Sequence, residues 1–189
     1  MKKMEFIRRN RGTNLFVKNL EVKAALGSNR SVVSGLWNGM WKLKVPRKIK
    51  HFKWKACSES LPTKANLMKR KILTDLTCHL CGRVAEDTKH ALWDCEAVKA
   101  VWCKDFSWVN LFEATHGSWL DLVDRLLSKS RVAELFATTA CFIWTHRNKS
   151  RLMEKTIPLG SVREAAKNFL QNFQSVRGEL SGSSNSRGN

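Results

Sequence analysis

The chain has no tyrosine, and its acidic residues are few: 16 Asp and Glu against 34 Lys and Arg in 189 residues. The scarcity of acid bears on function first. Two-metal polymerase and nuclease chemistry needs clustered carboxylates to hold the ions. No Asp-Asp pair occurs, the adjacent acidic pair Glu86-Asp87 is expected to cap a helix, and Asp121 and Asp124 are expected to face water. No glycine-rich phosphate loop is present either, so the chain is expected not to be an enzyme, with no catalytic residues. Long apolar runs are also missing. The longest, Leu135 to Trp144, is ten residues with two threonines, well short of the roughly 18 needed to cross a bilayer. The basic start MKKMEFIRRNRG is followed by no apolar segment of a secretory signal. No internal repeat is found. These absences predict an intracellular, reducing setting with no membrane partner, where clustered cysteines serve as metal ligands rather than disulfides.

Against that background four residues stand out. Cys78, Cys81, His90 and Cys95 form C-x2-C-x8-H-x4-C. Zinc takes four tetrahedral ligands from thiolate and imidazole, and a structural site closes all four positions with protein. A mixed sulfur and nitrogen set favours zinc over iron or copper. The pattern therefore predicts a structural Zn2+ site rather than a zinc hydrolase. The alternative is a set of unrelated buried thiols beside a surface histidine. Gly82 directly follows Cys81, where a backbone turn with positive φ suits glycine. Three thiolates leave the site with one negative charge, for which Arg83 and Lys89 are the nearby candidates. His79 is expected to face solvent and Cys103 to pack on its helix. Cys57 is a further spare thiol.

The positive charge is uneven. Residues 1–75 hold 19 Lys and Arg against 4 Asp and Glu, whereas 76–189 hold 15 against 12. A net charge of +18 says little about fold but suggests a polyanionic partner. Lys48, Lys50, Lys53, Lys55, Lys69, Arg70 and Lys71 are the candidate phosphate contacts; the other reading of this stretch is a solvated face that keeps the protein soluble. His51, Phe52 and Trp54 lie among the lysines. Bases stack on such rings in single-stranded sites, although residues such as Phe52 and Trp54 more often belong to the core. Of the eight tryptophans, Trp41, Trp93, Trp102 and Trp144 fall on apolar helix faces and are expected in the core.

The periodicity predicts a mainly α-helical chain, with a small hairpin at the metal loop. Phe16, Leu20 and Ala24 mark a helix near 14–26. Pro46 opens a helix with Ile49, Phe52 and Ala56 on one face, and Pro62 opens another over 62–71. A short helix over 86–93 carries His90. His90 and Cys95 lie about 140° apart on an ideal helix, so a break near Asp94 is required, with Cys95 opening the next helix. Further helices follow from Ser118, over 131–152, and after Gly160. The expected divisions are a basic segment at 1–35, a small domain around the metal loop at 36–106, a helical extension at 107–180 and a flexible tail at 181–189.

The stretches WKLKVPRKIKHFKWKA (41–56), SLPTKANLMKRKI (60–72), CHLCG (78–82) and EDTKHALWDCEAVKAVW (86–102) together resemble the plant reverse-transcriptase zinc-binding domain. That domain follows the reverse transcriptase in LINE-type (non-LTR) retrotransposons. FIWTHRNK (142–149) resembles the helix that comes next in those polypeptides. The resemblance implies that Cys78, Cys81, His90 and Cys95 are the ligands and that the partner is nucleic acid, RNA above all. It also implies a reverse transcriptase domain supplied by another chain. Two other functions remain beside nucleic-acid binding: a structural or protein-interaction remnant of a retroelement polyprotein, and an enzyme fragment, which the missing carboxylate cluster disfavours.

Overall fold

The computed structural model describes residues 38–103, 105–107, 109, 117–127 and 130–182. The basic segment 1–35, the helix expected near 14–26 and most of the 181–189 tail lie outside them. The chain divides into two compact units, Met1–Lys42 and Leu43–Asn189. In the first, the described residues 38–42 are helical. Trp41, expected in the core, is 45% exposed there.

In the second unit, α1 spans Arg47–Cys57. Pro46 sits just before it, and its carbonyl accepts from the N–H groups of Ile49 and Lys50 at 3.0 and 3.2 Å. Proline suits a helix start because its missing N–H is not needed there. Ile49, Phe52 and Ala56 are buried together with Lys53 and Cys57. α2 is shorter than its pattern suggested, Lys64–Lys69. Thr63 rather than Pro62 sets its start, its hydroxyl accepting from Asn66 N at 3.2 Å. Then comes the loop 70–89, a π-helical turn His90–Asp94, and α3, Glu96–Trp102. α4 covers Trp119–Leu127 and opens on a reciprocal cap. Asp121 accepts from Ser118 N at 2.7 Å, and Ser118 Oγ accepts from Asp121 N at 3.3 Å. α5 is Ser130–Arg151 and α6 is Val162–Gly182, joined through a 3-10 turn at Leu159–Ser161.

The centre of this unit is α5, which packs against α1, α4, α6 and the π-helical turn. Its residues from Phe136 to Cys141 are all buried. That is why the small residues Ala137, Thr138, Thr139 and Ala140 fall in sequence here: every side of the helix has a neighbour. Phe136 lies within 5.9 Å, centroid to centroid, of Trp93, Trp102, Phe106 and Trp119. Trp102 Nε1 donates to Leu92 O at 3.0 Å, so the indole is satisfied inside the core. Trp93, Trp102 and Trp144 are in the core as their patterns predict. Residues from both sides of position 106 meet around Phe136.

Among the described residues there is no strand, only a single antiparallel bridge between Thr77 and Ala85 where the hairpin was expected. The fold class is therefore mainly α, built round the Cys and His loop.

Three helices end the same way. After α1, α2 and α5 the chain turns through Glu59 (φ 52°), Lys71 (φ 59°) and Met153 (φ 56°). The following N–H then reaches back to a carbonyl five residues earlier: Ser60 to Lys55, Ile72 to Leu67, Glu154 to Lys149, at 2.8 to 3.0 Å. This left-handed closure ordinarily uses glycine, because a Cβ in that conformation costs about 1–2 kcal/mol. Met153 is 96% exposed, so replacing it removes little packing. Met153→Gly is expected to raise stability by about 0.5–1 kcal/mol, read as a higher urea midpoint with an unchanged slope.

Candidate metal centre

The loop from Cys78 is folded tightly on itself. Gly82 N donates to Cys78 O and Cys78 N to Val84 O, both at 2.8 Å. Gly82 takes φ 65°, the left-handed turn that its position after Cys81 predicts. Asp87 Oδ1 accepts from His90 N at 2.7 Å and so fixes the start of the turn bearing the imidazole. The chain then solves the angular problem between His90 and Cys95. Residues His90–Asp94 form a π-helical turn, and Cys95 N donates to His90 O at 3.1 Å. An i→i+5 ring closes about one turn over five residues, which brings His90 and Cys95 to the same side. Cys95 itself is extended (φ −62°, ψ 126°) and precedes α3. The expected break near Asp94 is thus a wide turn followed by one extended residue.

The four ligand atoms converge within 4.8 Å of one another. Cys78 Sγ and Cys95 Sγ are 3.8 Å apart, and Cys81 Sγ and His90 Nε2 are 3.4 Å apart. A tetrahedral zinc with sulfur at 2.3 Å and nitrogen near 2.05 Å has edges of about 3.8 Å (S to S) and about 3.5 Å (S to N). The donor set and its spacing therefore fit Zn2+. All four cysteine and histidine positions are filled by protein, with Cys78, His90 and Cys95 buried and Cys81 half-buried, as in a structural centre.

The charge of the site is managed from α5, not from the loop. Arg147 is completely buried, and its Nη1 donates to Cys78 Sγ at 3.4 Å and to Glu86 Oε2 at 2.9 Å. Glu86 is also fully buried and takes more donors: Arg151 Nη2 at 2.6 Å and the Lys64 N–H at 3.4 Å on Oε1. His79 Nδ1 lies 3.3 Å from Oε2. Burial holds the His79 imidazole below its ordinary range despite Glu86. The tautomer with a proton on Nδ1 then donates to the carboxylate. Two cations from α5 face two anionic units, Glu86 and the thiolate site. An ion cluster of this kind survives burial only if the charges balance and are hydrogen-bonded.

The thiols show the same influence. Burial pushes the Cys78 thiol up, but Arg147 and the backbone near Leu80 and Cys81 outweigh it and bring it to about 6. Cys95 is pushed up to about 11, by burial first and then by the neighbouring Cys78. Cys78 is accordingly the ready thiolate, and metal binding must displace the proton of Cys95.

Several expectations need correction. Glu86 does not cap the turn that bears His90; Asp87 does. The charge of the site is not met by Arg83 or Lys89. Arg83 is exposed, and Lys89 pairs with Asp94 at 3.4 Å. His79 is half-buried against Glu86 rather than turned to solvent. Cys103 does lie against its own helix as expected, exposed but with its thiol donating to Lys99 O at 3.1 Å, and Cys57 is buried away from the ligand set. The residues that the sequence reading missed are Glu86, Arg147 and Arg151. Glu86 lies in the stretch 86–102 but was read as a cap, Arg147 lies in the stretch 142–149, recognised only as a following helix, and Arg151 lies in neither.

Of the basic candidates, Lys48, Lys69, Arg70 and Lys71 are exposed and Lys50 and Lys55 are half-buried. Lys48 also sits over the Phe169 ring, 5.1 Å from its centroid. Lys53 is a correction. It is 3% exposed on the inner face of α1, and burial brings its ammonium down to about 8. The apolar positions Ile49, Phe52 and Ala56 set the inner face, and position 53 falls beside them.

Residues 23–102 match the profile of a family described as zinc-binding in reverse transcriptase. The match begins upstream of Trp41, where the resemblance was seen to start. A stretch of 75 residues, 40% of this chain, is 27% identical to an Arabidopsis thaliana protein whose name refers to ribonuclease H. The match spans 12% of that protein's length. No solved structure matches. Residues 23–102 are thus similar to the zinc-binding domain of reverse transcriptases, a domain of retroelement origin, and the Cys78, Cys81, His90 and Cys95 cluster is consistent with zinc.

Only Nη1 of Arg147 is hydrogen-bonded; its Nε and Nη2 are buried without a partner among the described residues. Its charge is thus held by Glu86 and the thiolate. Arg147→Met is expected to cost about 3–5 kcal/mol, because it strands Glu86 and the anionic site. It should also weaken zinc binding by about 10–100-fold. Denaturation of the loaded protein and chelator competition measure the two effects.

Proposed function

We propose that this domain binds nucleic acid, RNA above all, through the basic surface of α1 and α2, with zinc in a purely structural role. The observation that carries the reading is charge placement. Between Leu43 and Ile72 there are ten Lys and Arg and one acidic residue, Glu59. That acid is engaged by the Thr88 hydroxyl at 2.7 Å. Six of the seven candidate cations reach the surface: Lys48, Lys50, Lys55, Lys69, Arg70 and Lys71. A dense cationic face with so little local acid attracts phosphate more strongly than a mixed protein surface would.

Zinc supplies no chemistry in this reading. A structural centre has no open position for water or substrate. The fully buried carboxylate Glu86 is engaged by Arg147 and Arg151, which leaves it neither a general base nor a metal ligand. The metal instead locks the loop between α2 and α3 and so fixes the basic helices against α5. Among the described residues no helix is long and apolar enough to cross a membrane, and a polyanion in solution is the partner the charge suits. A reverse transcriptase domain on another chain would supply the catalytic function beside it.

Affinity for single-stranded RNA is expected to fall steeply with salt. If all six surface cations neutralise phosphates, the slope of log K against log salt is about −4. The triple variant Lys69→Glu, Arg70→Glu, Lys71→Glu should flatten it by about 2, while Lys53→Met leaves it unchanged. Binding that is absent at low salt, or insensitive to salt, contradicts the reading and favours a protein-interaction remnant.

A further inference from the structure

α1 buries one side and leaves an aromatic pair on the other. His51 is exposed and Trp54 half-buried, and their rings stack at 5.5 Å with an interplanar angle of 26°. Helical spacing puts Arg47, His51 and Trp54 on one face, opposite Ile49, Phe52 and Ala56. Of the three aromatic rings in this stretch, Phe52 alone joins the core, at 7% exposure.

Large rings at a surface usually cover an apolar neighbour. These two rings stack on each other and stand among cations. From Arg47 to Ser58 there is no acidic residue. Arg47 and Lys55 have no ionic partner among the described residues. A flat π surface ringed by positive charge suits a flat ring attached to a phosphate. Base stacking of this kind tolerates any sequence, since every base has a π face. In a duplex those faces are already stacked on one another, whereas a single strand presents them.

We infer that the His51–Trp54 pair is a stacking platform that selects single-stranded over duplex nucleic acid, with Arg47 and Lys55 contacting the flanking phosphates. The inference rests on the proposed nucleic-acid role, and it adds a contact to the base that charge alone does not provide.

The test uses the full zinc-loaded chain and three probes at one salt concentration. These are a single strand of about 12 nucleotides, a sugar-phosphate chain of equal length without bases, and the duplex. The base-bearing strand is supplied as DNA and as RNA in separate arms. The platform should bind it about 5- to 150-fold more tightly than the abasic chain, and preference in either arm supports the assignment. Trp54→Leu should lower affinity for the base-bearing strand to the abasic level and leave abasic binding unchanged. Trp54→Phe should keep most of the preference. If Trp54→Leu does not fold, His51→Ala replaces it, with a loss confined to the base-bearing strand. Quenching of a 2-aminopurine base by the unmodified protein is the independent sign of stacking. Equal binding of base-bearing and abasic strands in both arms, or a Trp54→Leu loss shared by both, overturns the platform but leaves charge-driven binding standing. Failure of every probe to bind at low salt removes both.

Discussion

The buried ion cluster of Arg147, Glu86 and Cys78 is the interaction on which the rest depends. Arg147 lies near the end of the central helix, Glu86 lies in the metal loop, and Cys78 is a zinc ligand. Taken apart, each is a buried charge that costs several kcal/mol to keep from water. Together they close: the guanidinium compensates the carboxylate and favours the thiolate, and the thiolate site needs a cation because three sulfurs exceed the charge of one zinc ion. Metal binding and core packing therefore support each other. The loop holds the metal, the metal holds the thiolates ionised, and the thiolates help keep Arg147 in an otherwise apolar interior.

This linkage gives the helical stretch after the zinc loop a definite role. It contributes both guanidiniums that satisfy Glu86 and the wall of aromatic contacts around Phe136. The same helix packs against α1, whose outer side carries Arg47, His51, Trp54 and Lys55. The turn that bears His90 and the basic helix α1 are thereby joined through α5. The metal acts on the proposed binding surface by fixing where the helices lie.

Much of this was legible in the residues. The ligand set was, because two cysteines, a histidine and a third cysteine at short spacing are a local pattern. The need to interrupt the helix between His90 and Cys95 was also legible, since the angle between them follows from helix geometry alone. What could not be read was how the interruption is made; a π-helical turn has no distinct residue signature. The helices round Ile49, Leu122 and Phe136 followed from periodicity. Arg147 did not. It stands 52 residues beyond Cys95 in a basic stretch that resembles any solvated helix end, and only tertiary packing turns it toward the site. Lys53 failed for the converse reason. In a run where nearly every second residue is lysine, composition cannot tell which one falls on the buried face.

Amide hydrogen exchange of the zinc-loaded and the chelated protein tests the central claim most directly. If metal and core are linked through Arg147, chelation removes protection from residues 78–95 and also from the last turns of α5 around Arg147 and Arg151. If α5 keeps its full protection to Arg151 after the metal is withdrawn, the zinc site is a local staple and the linkage described here is wrong.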